Sequence, residues 1–162
     1  MKKRYLFILA LLISLVQITL AQQIRAFGII PNLILITIVM AVLIFDGLEG
    51  IYLAVIFGLL QDILASKALG ISILIYMLIA AILYSIKEFL LNDYKLSALL
   101  GIFFSTILYH SMLYLMSVLL RDTTRTFHYI VGIGLLEAIY NTLIMFVVYG
   151  FVFKHIKGHE IR

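Results

Sequence analysis

The chain contains no cysteine and no tryptophan, a single proline, and few charges, which make up 12% of its 162 residues. Without cysteine there is no disulfide framework, no thiolate metal site and no cysteine nucleophile. With Pro31 as the one proline, little interrupts a helix, and no Pro-rich or Gly/Ser-rich linker divides the chain into domains. A soluble domain carries about a quarter charged residues, so the low charge argues against a water-exposed surface. No Gly-rich phosphate loop, HExxH or local Ser/His/Asp signature occurs, and no catalytic residue or cofactor site is read from the sequence.

What is present is apolar. The composition is 65% hydrophobic and the mean hydropathy is +1.20. These residues fall in long blocks instead of the 3.6-residue alternation of a surface helix. A bilayer core of about 30 Å needs about 20 helical residues. Six stretches qualify, at about 5–21, 30–45, 48–65, 71–87, 97–120 and 129–153. A β-barrel would show short alternating strands. The sequence therefore specifies an all-α integral membrane protein, a single polytopic domain over 1–162 built as one bundle of about six transmembrane helices. Pro31 stands at the start of the second block, where a missing N–H costs nothing. The opening "MKKRYLFILALLISLVQITLAQQ" is also similar to a secretory signal peptide, but its apolar core is long and its cleavage site poor, so a retained first helix is expected.

Orientation follows from lysine and arginine in the short loops. One side carries Lys2, Lys3, Arg4, Lys87, Lys95, Lys154, Lys157 and Arg162; the other carries Arg25, Lys67, Arg121 and Arg125. Both termini are expected in the cytoplasm. The net charge of +4 is then a matter of topology, and no basic face interleaved with aromatics speaks for nucleic acid. Interfacial rings must come from tyrosine, and Tyr5, Tyr52, Tyr84, Tyr129 and Tyr149 fall near block ends.

Several residues inside the blocks stand out. Gly50, Ala54 and Gly58 repeat at steps of four, so they share a helix face where a neighbouring backbone can come close, either within the chain or from a partner. Asp62 continues that face near the helix end. It reads as a carboxylate tied to a loop N–H or to Lys67, or as an anchor for the "ASKALG" turn. Glu137 is the deepest charge. His110, on the preceding antiparallel block, shares its depth, and Asn141 follows Glu137 by four, so the three can cluster. Such a cluster serves as interhelical hydrogen-bonding glue, or else as a proton- or substrate-linked site. His155, His159 and Glu160 have metal-ligand spacing but lie in a short basic tail with Gly158 between them, and read as a solvated tail; no metal site is expected.

Pro31-Asn32-Leu33 at the second block, a short hairpin, Gly50, then Gly58-Leu59-Leu60-Gln61-Asp62 and Gly70 together resemble the MreD family of rod shape-determining membrane proteins. The motif match spans 31–70, and length, helix count and inferred termini extend it to the whole chain. Asn32 stands where many members carry an acidic residue, and nothing about His110 or Glu137 is carried over. The resemblance implies a non-enzymatic subunit of the bacterial cell-elongation machinery in the cytoplasmic membrane. It would act as a scaffold for an MreC-like bitopic protein, in the company of MreB, RodA and a penicillin-binding transpeptidase that build peptidoglycan. It also implies a fold like that of the substrate-binding (S-component) subunits of energy-coupling-factor vitamin transporters, which makes such a subunit the alternative reading.

Overall fold

Twelve apolar residues, Leu33 to Ile44, form a helix (α1) only about 18 Å long. It is hydrophobic all round, and nine of its twelve residues are buried, as expected of a helix with neighbours on every side. The computed structural model describes residues 12–17, 19, 23, 25, 28–45, 48–65, 70–90, 94–120 and 127–156. After α1 come α2 (Glu49–Ala65), α3 (Ile71–Leu90), α4 (Tyr94–Leu119) and α5 (Phe127–Ile156). Residues 12–17 are also helical, and of the expected first span only these and residue 19 are described as helix.

Two antiparallel hairpins, α2–α3 and α4–α5, clasp α1 between them. α1 touches all four hairpin helices, α3 meets α4, and the described residues show no contact of α2 with α4 or α5. The core is accordingly α1 plus one face of each neighbour, with Leu53, Phe57, Ile75, Tyr76, Ile79, Ala98, Ile102 and Met145 packed around it. The outward faces of α3, α4 and α5 carry Leu74, Ile82, Phe104, Leu136 and Leu143, all exposed. Those three helices contain apolar spans of 19, 25 and 20 residues, each long enough to cross a bilayer.

The boundaries differ from the sequence expectation in physically legible ways. α1 begins three residues later than its apolar block because Asn32, not Pro31, caps it. Pro31 therefore lies outside the helix, its carbonyl free to accept a bond from Gln17. α4 starts at Tyr94 and α5 runs on to Ile156, since helical backbone continues past the apolar stretch into polar residues.

The small-residue stripe turns inward. A Cβ on Gly50 would lie 2.7 Å from Cα of Val42, and one on Gly58 would lie 2.5 Å from Cα of Ile73. Ala54 between them is fully buried. α2 thus presses its backbone against α1 at one end and against the first turn of α3 at the other. Glycine at both crossings permits that approach. The seam to a second chain, also open from the sequence, finds no free surface on this stripe: two crossings inside the bundle occupy it.

Gly58→Ala is expected to force α2 and α3 apart and to cost about 1–3 kcal/mol, whereas Gly132→Ala, whose Cβ would meet nothing within 4 Å, should be silent. Thermal stability of the two variants in mild detergent, followed by size-exclusion recovery after heating, checks this; equal losses would contradict the crossing.

Candidate functional site

A helix end buried in a membrane has N–H groups that water cannot reach. The first turn of α1 is in this position, and side chains from three other segments meet it. Asn32 caps the helix itself, its Oδ1 accepting from the Leu35 N–H at 2.9 Å. Gln17, in the first helical stretch, bridges the entry strand: its Oε1 accepts from the Leu33 N–H at 2.7 Å, and its Nε2 donates to the Pro31 carbonyl at 3.0 Å. The backbone N–H of Asn32 donates to Oδ1 of Asn141, on α5, at 2.9 Å. Asn32 Nδ2 donates to the Tyr76 hydroxyl, on α3, at 3.4 Å.

From Asn141 the network runs into the α4–α5 hairpin. Its Nδ2 donates to Thr106 Oγ1 at 3.1 Å and, at the limit of a hydrogen bond, to Glu137 Oε1 at 3.5 Å. Thr106 Oγ1 in turn donates to the Ile102 carbonyl at 2.8 Å. The other Glu137 oxygen is 2.9 Å from Nε2 of His110. Tyr76 stacks on Tyr109 with ring centroids 5.4 Å apart, and Tyr109 meets His110 edge-on. Asn32, Thr106, Glu137 and Asn141 are all buried. The structure therefore brings His110, Glu137 and Asn141 together, and joins them to the start of α1.

Asp62 performs a second, separate task. The residue before α3 is Gly70, at φ +99°, which has no side chain with which to cap. Asp62 reaches across from α2 instead. Its Oδ2 accepts from the Gly70 N–H at 2.7 Å and weakly from Ile73 at 3.5 Å, and its Oδ1 accepts from Ser72 at 3.1 Å. A carboxylate over the first turn also sits favourably in the helix dipole. The carboxylate is thus bound to backbone N–H groups at the return of the "ASKALG" turn, while Lys67 lies outside the described residues. The far end of α1 has a matching device, in which Lys87 Nζ, buried, donates to the Phe45 carbonyl at 2.6 Å.

Gln17, Asn32, Tyr76, Thr106, Tyr109 and Lys87 were not singled out by the sequence reading as site residues. Asn32 carried a usable signal, a capping residue directly before an apolar run, and Gln17 is a lone amide in an apolar block. Thr106 and the tyrosines carried none, since hydroxyls are frequent in membrane helices. Of the tail, His159 and Glu160 lie outside the described residues, as does the side chain of His155.

Replacing Asn141 by Leu leaves the Asn32 N–H without its acceptor, and should cost about 1–3 kcal/mol. Glu137→Gln keeps a hydrogen-bonding group opposite His110 and should cost less. Melting in detergent ranks the two variants, and the opposite order would contradict a network centred on Asn141.

Compared with known families, residues 2–157 match the model described as rod shape-determining protein MreD. Neither the curated proteins nor the solved structures contain a match.

Proposed function

The chain belongs to the MreD family of rod shape-determining membrane proteins, and from that premise we propose that it is a non-enzymatic scaffold of the bacterial cell-elongation complex. It sits in the cytoplasmic membrane with both termini in the cytoplasm. There it holds an MreC-like bitopic protein and helps to organise peptidoglycan synthesis by MreB, RodA and a penicillin-binding transpeptidase. The observation that carries this reading is the family match over nearly the whole chain. The interior supports it: Gln17, Asn32, Thr106, Glu137 and Asn141 spend hydrogen bonds on one another and on the backbone at the start of α1, which gives stiffness.

A vitamin-binding subunit would need convergent polar groups left free for a substrate. Here Asn32, Thr106, Glu137 and Asn141 are engaged with each other, so no observation favours the transporter alternative. The architectural likeness to transporter substrate-binding subunits belongs to the same proposal, as a shared bundle put to another use. With the Gly50/Ala54/Gly58 stripe occupied from inside, a partner helix would seat on an outward face of the bundle, where α2, α3, α4 and α5 all expose apolar side chains.

Affinity purification of the tagged protein from its native membrane in mild detergent, with mass spectrometry of what accompanies it, tests the assembly. Stoichiometric recovery of an MreC-like protein with wall-synthesis enzymes is expected, and depletion of the protein should turn rods into rounded cells. Recovery of an ATPase pair with a coupling membrane subunit would overturn the scaffold reading.

A further inference from the structure

Between α4 and α5 the wall of the bundle opens into a cleft of about 240 Å³. His110, Ser111 and Tyr114 line it from α4, and Val131 and Leu135 form its rim on α5. Tyr114 and Val131 lie toward the α4–α5 turn. His110 lies beside Gly134, where an added Cβ would come within 3.3 Å of its side chain.

His110 leaves a polar atom unmatched in this cleft. Its Nε2 is 2.9 Å from Glu137, whereas Nδ1 makes no hydrogen bond to the described residues. Whether that nitrogen carries a proton or a lone pair, it lacks a partner. Ser111 does not supply one, since its hydroxyl turns back to the Ile107 carbonyl at 2.8 Å.

Depth decides what can reach it. His110 is nine residues from Leu119, the end of the apolar span of α4, which is about 14 Å along the helix. Part of that length is overhang. Tyr76, five residues into α3, stacks on Tyr109, so α4 passes the start of α3 near residue 114 and continues about 8 Å beyond it to Leu119. The apolar span of α3 has 19 residues, about 28 Å, which matches a hydrocarbon core of about 30 Å. Measured from the start of α3, His110 still lies about 6 Å inside. Headgroups and esters stay outside the hydrocarbon, and water is absent within it. What remains at this depth is acyl chain, which makes no hydrogen bond, or protein.

We propose that the cleft seats the transmembrane helix of the bitopic partner, and that this helix carries a hydroxyl or carboxamide side chain hydrogen-bonded to His110 Nδ1. The assignment rests on the scaffold reading. Serine, threonine, asparagine and glutamine both donate and accept, so they match Nδ1 in either state. A charged side chain would cost far more at this depth. The cleft is smaller than one turn of a helix about 10 Å across, so the partner lies along the rims and inserts side chains only. Gly132, exposed beside Val131 and with nothing within 4 Å of an added Cβ, lets the partner's backbone come close.

The chain has no cysteine, so single cysteines placed in the full-length protein report its contacts. Ser111→Cys, Val131→Cys and Ile63→Cys are each expressed with the co-purifying bitopic protein, which bears one cysteine at successive positions of its transmembrane helix, and the membranes are oxidised. Ser111→Cys and Val131→Cys should cross-link at partner positions about three to four residues apart, on one helix face. Ile63→Cys should not, because Ile63 is exposed on α2, which has no described contact with α4 or α5. Replacing the partner's hydroxyl or carboxamide residue opposite His110 by leucine should weaken binding in detergent about five- to tenfold, the worth of one hydrogen bond. The same replacement should have no effect against His110→Leu combined with Glu137→Leu. Absence of cross-links from both cleft positions while the two proteins still co-purify, an apolar residue opposite His110, or an undiminished loss in the double variant overturns the proposal and leaves the scaffold reading standing. Failure of any bitopic protein to co-purify with the wild type overturns the scaffold reading, and the proposal with it.

Discussion

The arrangement of the bundle depends on one short helix. α1 is about 18 Å long against a hydrocarbon core of about 30 Å, so at least one of its ends must stop inside the membrane. An ordinary helix end leaves backbone groups for water to satisfy; here the surrounding helices must do it. Three of them do so, the first helical stretch, α3 and α5, each with a different residue, alongside the helix's own cap. Gln17, Asn32 and Asn141 serve the N-terminal end, and Lys87 serves the C-terminal end. Since each unsatisfied group in lipid costs several kcal/mol, these bonds fix the register of the hairpins more firmly than interchangeable apolar contacts could.

The same constraint explains which parts of the structure were legible in the sequence. Blocks of apolar residues announce helices, because a spanning chain must satisfy its own backbone, so α2 and α3 begin within one residue of where their blocks do. The meeting of His110, Glu137 and Asn141 followed from depth alone, because consecutive antiparallel helices bring equal depths together. Gly50, Ala54 and Gly58 announced a close approach without saying to what. Their partner is backbone, Val42 and Ile73, and backbone has no pattern in sequence. The junction at α1 was hidden for a related reason. Tyr76, Thr106 and Gln17 come from distant segments, and the geometry that joins them exists only after the hairpins close around α1.

Two kinds of polar residue are thereby distinguished. Asp62 and Lys87 each close one local structure, the α2–α3 turn and the α1 terminus. Asn141 is shared: it serves α1 through Asn32, α4 through Thr106, and its own helix through Glu137. A shared residue couples elements that local caps leave independent. If the α4–α5 hairpin moved relative to α1, the bond from the Asn32 N–H would be the first to break, and no water is at hand to replace it. The junction therefore resists relative motion of the hairpins.

Stiffness at the centre leaves adaptability to the outside. α2–α3 is bound inward through its glycines, whereas α4–α5 stands about 8 Å beyond the start of α3 and turns apolar residues such as Leu115, Val118 and Leu119 outward near its tip. A hairpin that overhangs its neighbours while its root is fixed at Asn141 presents the same surface whatever docks on it.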